Sequence, residues 1–172
     1  MESRVHRNTM RLLEIFAEYG VRSTFFVLGW VAEHYPELVR RIHRAGHELA
    51  SHSYGHALVY DSTPEQFRAD LRRAQAAIES ASGVRVRGYR APSYSITERS
   101  LWALDVLACE GYRFDSSIYP INHDRYGIPS WPRHVHRLAR NAGALWELPG
   151  STIRRGGVNL PMDWRWTAAE QR

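Results

Sequence analysis

The chain holds 172 residues, 44% of them hydrophobic and 24% charged, with a formal net charge of +5. That suits one soluble domain with its own core, and no apolar run approaches the length of a membrane span. One cysteine, Cys109, rules out an internal disulfide, the first residues lack the layout of a secretory leader, and the arginines are spread along helical patterns rather than gathered as a nucleic-acid patch; a cytoplasmic protein with no nucleic-acid partner and no membrane segment is expected.

In chain order, Leu12, Leu13, Ile15, Phe16 and Tyr19 recur at helical spacing, and Gly20 ends them. Thr24-Phe25-Phe26-Val27-Leu28 then reads as a buried strand, rich in β-branched and aromatic residues. Residues 30–45 return to a helical pattern through Val31, Leu38, Val39 and Ile42, with a break expected at Pro36. His47-Glu48-Leu49-Ala50-Ser51 forms a short strand that runs straight into His52. Thr63-Pro64-Glu65-Gln66 starts a helix: Thr63 caps it, Pro64 fits its first position, and Gln66 completes a capping box. That helix turns Phe67, Leu71, Ala74 and Ile78 inward and ends near Gly83. Residues 84–89 alternate as a strand and deliver Arg90-Ala91-Pro92. A further helix carries Leu101, Leu104, Val106 and Leu107, and Tyr112-Arg113-Phe114 then leads into Asp115-Ser116-Ser117. After Pro120 only residues 145–148 read as a strand. Cys109 is expected in the core, and Trp30, Trp102, Trp131 and Trp146 mostly with it.

Helix and strand therefore alternate, which argues for an α/β fold with a parallel sheet or a (β/α) barrel. His52, Arg90 and Asp115 each fall just past a predicted strand, the edge at which such barrels build their chemistry. Histidines four apart can meet one metal ion if the chain between them turns helically, so His52 and His56 are candidate ligands. Spacing alone leaves this open against an ordinary placement. His43 and His47 share that spacing, and a helix end beside a strand start explains them better. Arg90, stiffened by Pro92, can hold a carboxylate in a bidentate pair, or it is an ordinary surface arginine of a basic chain. Asp115 offers a carboxylate to a sugar, or caps the strand-to-loop turn. Tyr94, Tyr119, Trp164 and Trp166 are candidates for a sugar groove.

Taken together, these segments resemble the NodB-like polysaccharide deacetylase family, nearest to the subfamily of exopolysaccharide gene clusters. Residues 23–29 resemble its second strand, residues 46–56 its metal-binding motif, Arg90-Ala91-Pro92-Ser93-Tyr94 its arginine-proline motif, and residues 112–117 a further common segment. The resemblance implies an incomplete, distorted (β/α) barrel over residues 1–161. It also implies metal-dependent removal of N-acetyl groups from an oligo- or polysaccharide. His52 and His56 would bind a divalent metal, zinc or else cobalt, nickel or iron. Arg90 would orient a base aspartate, and the backbone near Ser93 would stabilise the oxyanion. Pro92, Tyr94 and Asp115 would line the substrate site.

The family's two first-strand aspartates have no counterpart, since the earliest aspartate here is Asp61, and the last histidine is His136. The third protein ligand and the base are thus missing, and residues 162–172 match nothing. A fragment with little activity is expected. The other reading is a catalytically dead sugar-binding or scaffold remnant of the same fold.

Overall fold

The structure, a computed structural model, describes residues 4–140 and 143–162. Trp164 and Trp166, two of the groove candidates, and most of the tail at 162–172 lie outside the described residues.

Helix α1 (Arg4–Glu18) turns Leu13 inward and leads to strand β1 (Thr24–Val27). The next helical pattern is broken where the sequence predicts: α2 (Gly29–His34) and α3 (Pro36–Arg44) part at Tyr35. The ring of Pro36 keeps the preceding residue out of helical backbone angles, and Tyr35 sits at φ −132°. Strand β2 (Glu48–Ser51) follows. Helix α4 (Pro64–Ser82) begins with the expected capping box: Thr63 Oγ1 accepts from the Gln66 amide at 3.3 Å, and Gln66 Oε1 accepts from the Thr63 amide at 2.9 Å. Then come β3 (Gly88–Tyr89), α5 (Trp102–Cys109), β4 (Phe114–Asp115), β5 (His136–Arg140), β6 (Gly143–Glu147), β7 (Thr152–Arg155) and β8 (Val158–Pro161).

Six strands form one sheet in the order β1-β2-β3-β4-β6-β5. Every pairing is parallel except β5 with β6. Neighbouring parallel strands joined through helices make the βα walk of a barrel. Among the described residues the sheet does not close, so the expected incomplete (β/α) barrel is what the chain forms. Helices α2, α3, α4 and α5 pack side by side. The core contains Leu38, Val39, Leu71, Ile78, Leu104 and Leu107, each 2% exposed or less.

The differences from expectation have local reasons. The strand predicted over residues 84–89 pairs only at Gly88–Tyr89, because β4 beside it is itself two residues long. Strands β5, β7 and β8 were not expected. Strand β5 lies at the sheet's edge with alternate residues exposed, so it carries arginines instead of an apolar run. The β7–β8 hairpin turns at Gly156 and Gly157, with φ of +57° and +80°. Two consecutive positive φ angles are what a type I′ turn requires, and glycine supplies them without steric penalty. Cys109 is exposed rather than in the core, because α5 buries the face of Ala103, Leu104, Val106 and Leu107. Trp146 is 49% exposed, since the pleat turns it outward between buried Leu145 and Glu147. Trp30, 44% exposed, stacks on the His34 ring one turn along α2. His47 is a core residue, with its ring between Phe16 and Phe25 and its Nδ1 accepting from the Ser23 amide. No helix among the described residues is long and apolar enough to cross a membrane.

Candidate active site

Strands β2, β3 and β4 end level with one another. The bridges Ser51↔Tyr89 and Tyr89↔Asp115 set the next residues, His52, Arg90 and Ser116, side by side at the sheet's C-terminal edge. The edge is tied across by backbone bonds, from the Arg90 amide to Ser51 O at 3.0 Å and from the Ser116 amide to Tyr89 O at 2.9 Å.

His52 Nδ1 lies 2.6 Å from Arg90 O. A carbonyl only accepts, so Nδ1 carries the hydrogen and donates it, leaving the Nε2 lone pair available. Burial pulls the His52 pKa below its ordinary value against the opposing pull of that carbonyl, which keeps the ring neutral, the form that ligates metals. The His56 ring centroid is 5.2 Å away, with the two planes at 74°.

The backbone here is strained. Among the described residues the non-glycine positions with positive φ are Ser53 (+66°), His56 (+66°), Ser93 (+51°) and Tyr94 (+52°). All four lie in the two loops of this site. Such conformations cost on the order of 1–3 kcal/mol each and persist only where surrounding contacts impose them.

Those contacts are visible for residues 53–56. The amides of Gly29 and Trp30, at the start of α2, donate to Ser53 O and Tyr54 O at 2.9 and 3.0 Å. From α4, the Asp70 carboxylate accepts the Tyr54 amide at 3.0 Å and is also bonded by the Ser53 hydroxyl and the Gly55 amide. Burial raises the Asp70 pKa against these bonds. Ser53 Oγ also meets the buried Tyr89 hydroxyl at 2.7 Å. Sequence reading passed over Asp70, because nothing near it in the chain announces a partner sixteen residues back. Asp70→Ala should lower stability by about 1–3 kcal/mol by stranding the Tyr54 amide, while Asp70→Asn, still an acceptor, should lose less than half of that. Thermal melts of the two variants decide it, and equal melting of Asp70→Ala and the parent would show that α4 does not hold the loop.

Arg90 has other partners than the expected carboxylate. Its Nε donates to Ser116 O at 3.1 Å and its Nη2 to Ser116 Oγ at 2.7 Å, with the guanidinium 4.3 Å above the Phe26 ring. Asp115 is fully buried and accepts from the Ser117 hydroxyl and amide, so its carboxylate caps the strand-to-loop turn. Pro92 is buried too and shapes the turn. Ser93 and Tyr94 line a cavity of about 470 Å³ together with His52, His56, Arg90 and Tyr126. The Tyr94 and Ser95 amides are taken by Ala91 O and Pro92 O. Tyr119 is buried, with its ring 5.0 Å from that of Tyr94. A larger cavity, about 830 Å³, lies between residues 129–134 and the β7–β8 hairpin. It holds neither histidine of the pair and none of the strained backbone.

Residues 2–112 match the family Polysaccharide deacetylase. The chain belongs to that family. Residues 116–163 match a second family, a domain of unknown function designated DUF3473. A peptidoglycan deacetylase of Helicobacter pylori is 31% identical over 157 residues, covering 90% of this chain and 52% of the relative. A crystal structure from Mycobacterium smegmatis, described as a polysaccharide deacetylase, superposes with a TM-score of 0.71 at 36% identity, covering 83% of this chain and 45% of that one. A CE4 family pseudoenzyme from Bacillus anthracis superposes at 0.54 with 27% identity over 58% of this chain and 36% of its own. The chain spans about half or less of the length of the curated relatives it matches.

Membership gives the histidine pair its chemical context. Two imidazoles beside one strand edge, one fixed by a backbone carbonyl, fit two positions around a divalent ion. No third His, Cys, Asp or Glu joins them among the described residues.

Proposed function

We propose that this chain carries part of the site of a metal-dependent carbohydrate N-deacetylase, acting on an N-acetylated oligo- or polysaccharide. The observation that carries the reading is the His52–His56 pair, held by strained backbone in a cavity with Arg90 and Ser93. His52 and His56 would hold the ion, zinc or else cobalt, nickel or iron. When bound, such an ion polarises an amide carbonyl and acidifies water. The chain's own residues do the positioning. The Arg90 carbonyl fixes the His52 tautomer, the Arg90 guanidinium would orient a base aspartate, and the backbone near Ser93 would stabilise the oxyanion. The turn at Ser93 and Tyr94 shapes the opening that admits the acetamide. Modification of an exopolysaccharide is the setting that the sequence motifs favour.

One observation favours a second reading, a sugar-binding remnant without turnover. The described residues lining the cavity include no carboxylate to serve as a general base.

Acetate release from N-acetylglucosamine oligomers, with zinc or cobalt added, separates the two. Turnover that disappears in His52→Ala supports the deacetylase. Sugar binding without release supports the remnant. Neither binding nor release sinks both.

A further inference from the structure

Beside the histidine cavity lies a second one of about 520 Å³, lined by Leu58, Tyr60, Ser93, His123, Arg125 and Tyr126, with Asp124 at its rim. Ser93 and Tyr126 belong to both cavities, so the two adjoin. Each is of a size suited to a small ligand.

The shared wall is built of stacked rings. His123 lies on Tyr126 with centroids 3.8 Å apart and planes at 13°. Behind them, Tyr126 is 5.7 Å from Tyr94 and parallel to the buried Tyr119 at 6.4 Å. Gly127 fixes this stack in place. Its φ is +96°, and a Cβ there would lie 2.3 Å from Ile121 O, so the loop closes only with glycine. The stack presents an exposed His123 ring face beside Asp124 and Arg125, both exposed. Aromatic faces bordered by charged hydrogen-bonding groups suit a ring with apolar C–H faces and a rim of hydroxyls.

We propose that the two cavities form one groove, and that the second is a binding subsite for the sugar residue next to the one whose acetamide enters the histidine cavity. His123 and Tyr126 form its platform, and Arg125 and Asp124 bond sugar hydroxyls. The inference rests on the deacetylase reading for the direction of the polymer. It assigns a recognition role to a stretch beyond the part of the chain that carries the histidines.

The test compares two probes on the intact chain, N-acetylglucosamine and its β-1,4-linked tetramer, by calorimetric titration. The parent protein should bind the tetramer about tenfold more tightly than the monomer, the worth of roughly one stacked ring. His123→Ala should remove most of that gain and leave monomer affinity within about twofold, since His123 does not line the histidine cavity. His123 is exposed and, among the described residues, bonds only its neighbours Asp124 and Arg125, so its loss should lower the melting temperature by no more than a few degrees. Tyr126→Ala should weaken both probes. Equal affinity of the parent for the two sugars, or a tetramer gain that survives both substitutions, overturns the subsite while leaving the acetamide cavity standing. Failure of the parent to bind either sugar removes the deacetylase reading and the subsite with it.

Discussion

Stability should fall as the pH is raised from about 5 to about 9, and Glu147→Gln should abolish most of that fall. Glu147 on β6 is fully buried and sits in register beside Asp115 on β4, also fully buried. Burial pushes both carboxyls above their ordinary range; the Asp115 charge raises Glu147 further, while the Glu147 contact eases the ionisation of Asp115. The bonds around them say which holds the proton. Asp115 accepts from Ser117 Oγ at 2.5 Å and from the Ser117 amide at 3.2 Å, as an ionised carboxylate should. Glu147 Oε1 accepts from the Ile118 amide at 3.2 Å, while Oε2 has no donor. An oxygen that bears the proton needs no donor, and the carboxylate in register beside it belongs to Asp115.

The sign follows from proton counting. Above the ordinary glutamate value the unfolded chain has released the proton that the fold retains. Each further unit of pH then costs up to about 1.4 kcal/mol, until the folded pair also releases it. Below that ordinary value both states are protonated and the effect vanishes. A glutamine at 147 keeps an acceptor for the Ile118 amide and gives an N–H to Asp115, yet never ionises. Melting temperatures of the parent and of Glu147→Gln, taken from pH 5 to pH 9, should diverge as the pH rises, the variant being the more stable at the alkaline end. Parallel curves would show that Glu147 is not the proton holder. Glu147→Ala strands the Ile118 amide and Asp115 together and should be destabilising at every pH, by about 1–3 kcal/mol per stranded group.

If His52 and His56 hold the ion as proposed, cobalt uptake should be lost in His52→Ala and in His56→Ala, with affinity reduced on the order of a hundredfold or more. Two ligands bind one ion together only if the chain pre-sets their separation. Here the separation is set by Arg90 O on one ring and by left-handed backbone at Ser53 and His56. Removing either imidazole leaves a single nitrogen, no better than an exposed histidine elsewhere on the surface. Visible absorption of bound cobalt gives a reading that does not depend on turnover. Retention of the parent spectrum in both variants would place the ion elsewhere. A single affected histidine would break the pair into one ligand and one bystander.

Much of this was legible before the fold. The capping box at Thr63 and Gln66 and the break at Pro36 are set within four residues, so local chemistry dictates them and the structure reproduces them. The placement of His52 and Arg90 past strand ends followed from the alternation of helix and strand, and the sheet brings both to one edge, whereas Asp115 lies within β4 and Ser116 takes the place expected for it. Which of them can meet a ligand did not follow. Asp115 and Arg90 look alike in the sequence as polar residues at strand ends. Their difference, one sealed against Glu147 and the other lining a cavity, comes from a neighbouring strand 32 residues on from Asp115. The hold of Asp70 on residues 53–56 and the stacking of His123 with Tyr126 likewise depend on partners that only chain packing supplies. The sequence by itself determined the elements before Pro120, the strand ends at His52 and Arg90 and the spacing of the histidine pair, because these rest on short-range periodicity, capping and spacing. The tertiary structure decided burial, the pairing of Asp115 with Glu147 and the lining of the cavities, because desolvation and long-range contact exist only once the strands lie side by side.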